Sequence, residues 1–236
     1  APSKPSRPEF EALLGQLEEG CRDAAEVLRT ADVLLLCTGA GFSADSGLAV
    51  YKDIAGLRAY EELGLCYHDI CRPEWLHSDP ELFYGFWGTC YNDYRDTEPH
   101  DGYGLVRGWR DRFFASSLAA RSIRNRLDGG KRRGKSVGGT EYGGSASSQS
   151  SPYKVGNCPG AFFIYTSNVD AHSFDHFDPC EVRECHGNTE LWQCGLSQPC
   201  CNRIWRAPLG FRFAVDERMR APKDPEKAAA AAAANG

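Results

Sequence analysis

Residues 39–44, Gly-Ala-Gly-Phe-Ser-Ala, follow the apolar run 33–37 with one threonine between. Two glycines around an alanine strip a turn of side chains, so a ligand can reach the main-chain amides. Strand, bare turn and helix start make the G-x-G-x-x-G/A pattern, which offers N–H groups and a partial positive charge to a diphosphate. The same kind of turn also occurs with no ligand. The acidic residue that usually follows about 20 positions later at a strand end has no clear counterpart, because Glu61 and Glu62 sit in helical text. That argues against an ordinary dehydrogenase. Further along, His186 stands beside Gly187 just after 180–184, a weaker strand candidate. Imidazole ionises near neutral pH, so a histidine at a strand's carboxyl end suits a general base; a structural, hydrogen-bonded histidine is the alternative.

Several elements must position these residues. Phe10, Leu13, Leu14, Leu17 and Cys21 recur at helical spacing, and Ser6 and Pro8 suit a helix start, so a helix is expected over 9–30. Val33-Leu34-Leu35-Leu36-Cys37 reads as a strand buried on both faces. Residues 161–165 read as a second buried strand leading into Thr166-Ser167-Asn168, and 180–184 as a weaker third ending at His186. Between the first two strands lies a dense aromatic region, with helices expected over 80–95 and 100–112. Its aromatics either fill a core or line a groove. Residues 115–160 are rich in glycine and serine and poor in apolar side chains, which predicts a disordered surface insertion. Its basic stretch 121–135 is either a solvated loop or an address or nucleic-acid patch.

The 236 residues are 42% hydrophobic and 25% charged with a net charge of −5, an ordinary globular balance that gives nucleic acid or an anionic membrane no overall attraction. The longest apolar run is too short to span a bilayer, and no leader-like start is apparent. Eleven cysteines, an odd number, fit reduced thiols better than a complete disulfide framework. The expectation is therefore an intracellular protein, cytoplasmic or nuclear.

Three stretches in order, GAGFSADSGLAVYKD (39–53), YTSNVDAH (165–172) and ECHGNTELWQC (184–194), resemble the sirtuin family of NAD-dependent protein deacylases. The aromatic text between the first two looks like a bacterial-type branch. The resemblance covers about residues 30–205. It implies that Gly39, Ala40, Gly41 and Ser43 cradle the NAD diphosphate and that Ser46 helps close the turn. It also implies that Tyr51 covers the reactive sugar carbon, that Asn168 and Asp170 hold nicotinamide and its ribose, and that His186 is the base. Ser167 stands where the family has glutamine, and Ala49 and Tyr51-Lys52 replace proline and Phe-Arg. His172, two positions after Asp170, is a rival histidine; His68 and His176 have no motif around them. In the implied reaction an acyl-lysine carbonyl attacks the sugar carbon bearing nicotinamide, and the base then activates a ribose hydroxyl.

Cys194, Cys200 and Cys201 stand where the family has its first zinc-binding cysteine pair. The spacing is wider and no cysteine follows residue 201, so zinc is weighed against free thiols. The family's later nucleotide-side motifs do not follow residue 205. The expected fold is thus α/β, a Rossmann-like parallel sheet of incomplete doubly wound form, with a small helical or zinc-type module and an open edge that a partner would complete. The organisation expected is an N-terminal helix (1–30), the core (31–205) with its insertion at about 115–160, and an irregular tail (206–236). The expected activity is transfer of an acyl group from lysine to ADP-ribose with release of nicotinamide. A non-catalytic NAD or ADP-ribose binding protein and a sirtuin-like ADP-ribosyltransferase are the alternatives.

Overall fold

The computed structural model describes residues 6–49, 58–132, 160–195 and 200–224, without the side chains of 58 and 127–132. Tyr51 lies outside the described residues. Helix α1 (Arg7–Thr30) leads into strand β1 (Leu34–Thr38) and the short helix α2 (Ala40–Ala44). Three single-turn helices follow: α3 (Arg58–Glu61), α4 (Tyr67–Ile70) and α5 (Trp75–Ser78). Next come α6 (Pro80–Asp96), α7 (Asp101–Trp109) with a wide turn at Arg110–Phe114, and α8 (Leu118–Arg132). Strand β2 (Phe162–Thr166), helix α9 (Ser173–His176) and strand β3 (Val182–Glu184) precede a hairpin-like pair, β4 (Leu191–Gln193) and β5 (Ile204–Arg206).

The architecture is α/β. Strands β1, β2 and β3 form a parallel sheet in that order, and β4 pairs antiparallel with β5. In the register, Thr38 sits opposite Thr166 and Thr166 opposite Glu184. All three strands therefore end at the same edge, where a parallel sheet presents its connecting loops. The helix signals act as expected. Ser6 caps α1, its amide donating to Glu9 at 2.8 Å. Asp79 accepts the Leu82 amide at 3.2 Å ahead of Pro80. His100 Nδ1 accepts the Gly102 amide at 3.0 Å and opens α7.

One face of the sheet, carrying Phe162, Ile164 and Val182, packs on Tyr103, Val106, Phe114 and Ala120. The other face is bare among the described residues. Leu35 is 59% exposed, and Phe163 and Tyr165 are also exposed. This corrects the reading of β1 as buried on both faces: side chains alternate along a strand, and only one of the two sets meets a described layer. No residue of α1 is buried, although Leu28 and Ala31 pack against the edge of the core. The disordered insertion expected over 115–160 is contradicted for 118–132, which are helical. Helix α8 runs to Arg132, because Ala119 and Ala120 give it an apolar strip, and the chain returns at Gly160 against Ala120 and Ile123. Residues 133–159, the rest of that stretch, lie outside the described residues. No helix among those described is long and apolar enough to cross a membrane.

After Arg206 the described chain carries no helix or strand, yet it is docked on α6. Asn92 exchanges two hydrogen bonds with the Phe213 backbone at 2.9 Å each, Arg220 grips Asp79 at 2.6 Å, and the Ala221 amide donates to the Glu81 carbonyl at 2.9 Å. Gly85 and Gly88 make room for this segment. A Cβ on Gly85 would fall 2.0 Å from the Met219 carbonyl oxygen, and one on Gly88 2.7 Å from the Phe213 ring. Glycine inside a helix costs about 1 kcal/mol against alanine, so these two are kept for the close approach. Gly104, on the exposed side of α7, has nothing within 4 Å of such a Cβ. Accordingly, Gly104→Ala is expected to stabilise the protein by about 0.5–1 kcal/mol in denaturant melts. Gly85→Ala is expected to destabilise it by about 1–3 kcal/mol despite the better helix former, and to speed tryptic cleavage at Arg218 and Arg220.

Candidate functional site

The edge where the three strands end holds a cavity of about 250 Å³. Ala40 and Ser43 from the glycine turn, Ser167, Asn168, Val169 and Asp170 from the loop after β2, and His186 from the loop after β3 form its polar side. Tyr67, Phe86, Trp87 and Tyr94 line the apolar side. Residues far apart in sequence thus share one wall because their strands are in register.

A side-chain bond ties the first two loops together. The Ser43 hydroxyl donates to Asp170 Oδ2 in a short hydrogen bond, and both residues are buried. Oδ1 of the same carboxyl accepts the His172 amide at 3.0 Å. Between them, Ala171 holds a left-handed backbone with φ of 65°. That conformation costs an L-residue about 1–2 kcal/mol, and here it turns Asp170 back toward the glycine turn. The close pairing of the loops also explains Gly39, where an added Cβ would lie 3.3 Å from the Ser167 hydroxyl. Gly41 faces open space, with nothing within 4 Å of an added Cβ. Ser46 Oγ accepts the His100 amide at 3.0 Å and so fastens the end of the turn to the start of α7.

His186 is exposed on the cavity wall, with Nδ1 3.2 Å from the Ser167 carbonyl oxygen. A carbonyl only accepts, so this bond places the proton on Nδ1 and leaves a lone pair on Nε2. The rival His172 is 2% exposed, its Nε2 donates to the Tyr94 carbonyl at 3.0 Å, and it is not part of the cavity lining. His176 stacks on Tyr103 at 5.4 Å in the core.

Two residues that the sequence does not single out, Glu184 and Asn188, stand on either side of His186 in the chain and are bonded to each other. Glu184, at the end of β3, accepts from Asn188 Nδ2 at 2.5 Å. Burial pushes the Glu184 carboxyl up to about 8; the Asn188 hydrogen bond opposes this, and the neighbouring Asp170 and Glu190 carboxyls add to it. Glu190 is itself held between Arg95 and Arg206, the latter at 2.7 Å. The sequence signal for this arrangement is an acid at the end of a short strand, which carries no partner information.

Cys194 and Cys200 approach to 3.5 Å between sulfurs, and Cys201 stands beside them in sequence. Among the described residues, no group of three or more His, Cys, Asp or Glu side chains is placed to hold a metal ion. A closed zinc site takes four ligands, and the described cysteines do not supply that set.

No family model matches the chain, and no curated protein matches it. Among solved structures, a Sir2 homologue in complex with NAD is 15% identical, with a TM-score of 0.46 over 86% of this chain and 54% of that one. A mutant Sir2 homologue with 2′-O-acetyl ADP-ribose is 16% identical, with a TM-score of 0.47 over 86% and 55%. Sir2 with the inhibitor EX-527, 2′-O-acetyl-ADP-ribose and deacetylated p53 peptide is 15% identical, with a TM-score of 0.41 over 78% and 51%. The chain spans about half the length of the solved structures it matches.

Ser43→Ala is expected to remove the hydroxyl partner of a buried carboxyl and to cost about 1–3 kcal/mol in chemical denaturation. A second expectation concerns pH. The Glu184 carboxyl is raised in the folded state, so its contribution is complete below its ordinary range near 4.5 and is lost as pH rises toward 8. Melts of Glu184→Gln and the parent should therefore diverge between pH 5 and 8, with the variant gaining relative stability as pH rises.

Proposed function

We propose that this chain is an NAD-dependent protein-lysine deacylase of sirtuin type, which passes the acyl group to ADP-ribose and releases nicotinamide. The observation that carries this reading is convergence: the three motifs of the sequence resemblance meet on one cavity wall. NAD, as the co-substrate, supplies an electrophilic sugar carbon whose bond to nicotinamide is broken. The residues present fit such a molecule. Gly41 leaves its side of the turn open, Ala40 and Ser43 border the cavity, and Asn168 and Asp170 stand opposite them.

In this reading the turn residues Gly39, Ala40, Gly41 and Ser43 cradle the diphosphate, with the turn held in shape by Ser43 on Asp170 and by Ser46 on the His100 amide. Asn168 and Asp170 orient the nicotinamide half. His186, with its proton held on Nδ1 by the Ser167 carbonyl, receives the ribose hydroxyl proton at Nε2. The acyl-lysine of a protein or peptide enters from the open side where His186 is exposed.

Incubation with NAD and an acetyl-lysine peptide, with nicotinamide and peptide mass followed separately, tests the proposal. Nicotinamide is expected to appear in step with loss of acetyl mass, and His186→Ala should lower that rate by about a hundredfold or more. Nicotinamide release with the peptide still acetylated would instead indicate hydrolysis of NAD or ADP-ribosyl transfer. Saturable NAD binding with no release at all would indicate a binding protein.

A further inference from the structure

The turn that carries His186 is closed by a chain of hydrogen bonds. Glu184 Oε2 accepts from Asn188 Nδ2 at 2.5 Å, and Asn188 Oδ1 accepts the amides of Glu190 and Leu191 at 3.0 Å each. His186 and Gly187 lie inside this arc, and Gly187 makes the reversal with a positive φ of 72°. On either side the arc is pinned to the loop after β2. The Cys185 amide donates to the Thr166 carbonyl at 3.0 Å, and the Thr189 amide and hydroxyl donate to the Val169 carbonyl at 3.0 and 3.2 Å. Between these pins the imidazole has a single described bond, to the Ser167 carbonyl, and its outer side is exposed. Inside the arc the Gly187 amide makes one long bond, to the Glu184 carbonyl at 3.4 Å, so the short Glu184–Asn188 bond is the side-chain closure that holds the turn between its two pins.

We propose that Glu184 is a positioning residue for His186, acting through Asn188, whose side chain it anchors to close the turn that carries the imidazole. The inference rests on the deacylase reading only for its kinetic readout. Glu184 faces Asn188 from its own loop, Asp170 from the loop after β2, and Glu190 beyond the turn, with Arg95 and Arg206 occupying Glu190. Its role requires a hydrogen-bond acceptor at that position, not a charge. Glutamine keeps an acceptor of the same reach, whereas alanine removes it.

The test compares the parent with Glu184→Gln, Glu184→Ala and Asn188→Ala. Nicotinamide release gives kcat and the KM for NAD, and the shift of the His186 ring proton with pH is followed by NMR. Glu184→Gln is expected to stay within about twofold of the parent. Glu184→Ala and Asn188→Ala should lose about tenfold or more in kcat while KM changes by less than about threefold, because the base is displaced and the cradle is not. Below about pH 7, where the Glu184 carboxyl still holds its proton, the His186 ring-proton curve of Glu184→Gln should overlay that of the parent, and those of the alanine variants should move. Parental kcat in both alanine variants, a rise in KM matching the fall in kcat, or equal impairment of Glu184→Gln would each overturn the inference. Should Glu184→Ala fail to fold, Asn188→Ala and Glu184→Gln carry the same comparison. If the parent releases no nicotinamide, the deacylase reading fails by itself. The positioning claim is then decided by the NMR curves, and unmoved curves in the alanine variants reject it.

Discussion

The Ser43–Asp170 hydrogen bond is the point on which the site's geometry depends. It joins the glycine turn after β1 to the loop after β2, two segments separated by 127 positions in sequence, at a place where both side chains are buried. A buried polar group must find a partner, and here each satisfies the other. The consequences spread from that contact. Asp170 is turned inward by a strained Ala171, Gly39 leaves room for the Ser167 hydroxyl that lies against it, and the carbonyl of Ser167 is placed to hold His186. None of these contacts would form without the parallel register that ends three strands at one level.

Much of this was legible in the sequence for simple physical reasons. Strands β1 and β2 announce themselves as short apolar runs that stop at small or polar residues, and β1, β2 and β3 each lie within a residue or two of the expected place. The helices of the aromatic region start at Asp79-Pro80 and His100-Asp101, where cap and first-turn chemistry is local. The convergence of Ser43, Ser167, Asn168, Asp170 and His186 on one cavity follows from parallel strands in order, which short-range patterns can suggest.

What was not legible depends on distant partners. Apolar runs such as Val33–Cys37 say that a strand is buried somewhere, but not whether a second layer covers it; Leu35 and Tyr165 are exposed among the described residues. Strands β4 and β5 are three residues each, too short to show an alternation. The docking of residues 211–221 on α6 is written in two helix glycines, Gly85 and Gly88, whose meaning appears only when Phe213 and Met219 are found against them. Helix α8 was hidden because the glycines and basic residues of its second half outweighed the alanines of its first. Glu184 and Asn188 act on each other across a single turn, and neither residue type announces a role by itself.

The central claim is that the glycine turn, the loop after β2 and the loop after β3 are walls of one NAD cleft. Hydrogen exchange of the backbone, with and without saturating NAD, addresses it most directly. The account predicts that segments 39–46, 167–172 and 185–188 gain protection together, at the same NAD concentration. Protection confined to one of these segments, or absent from all three while NAD binds elsewhere, would contradict it.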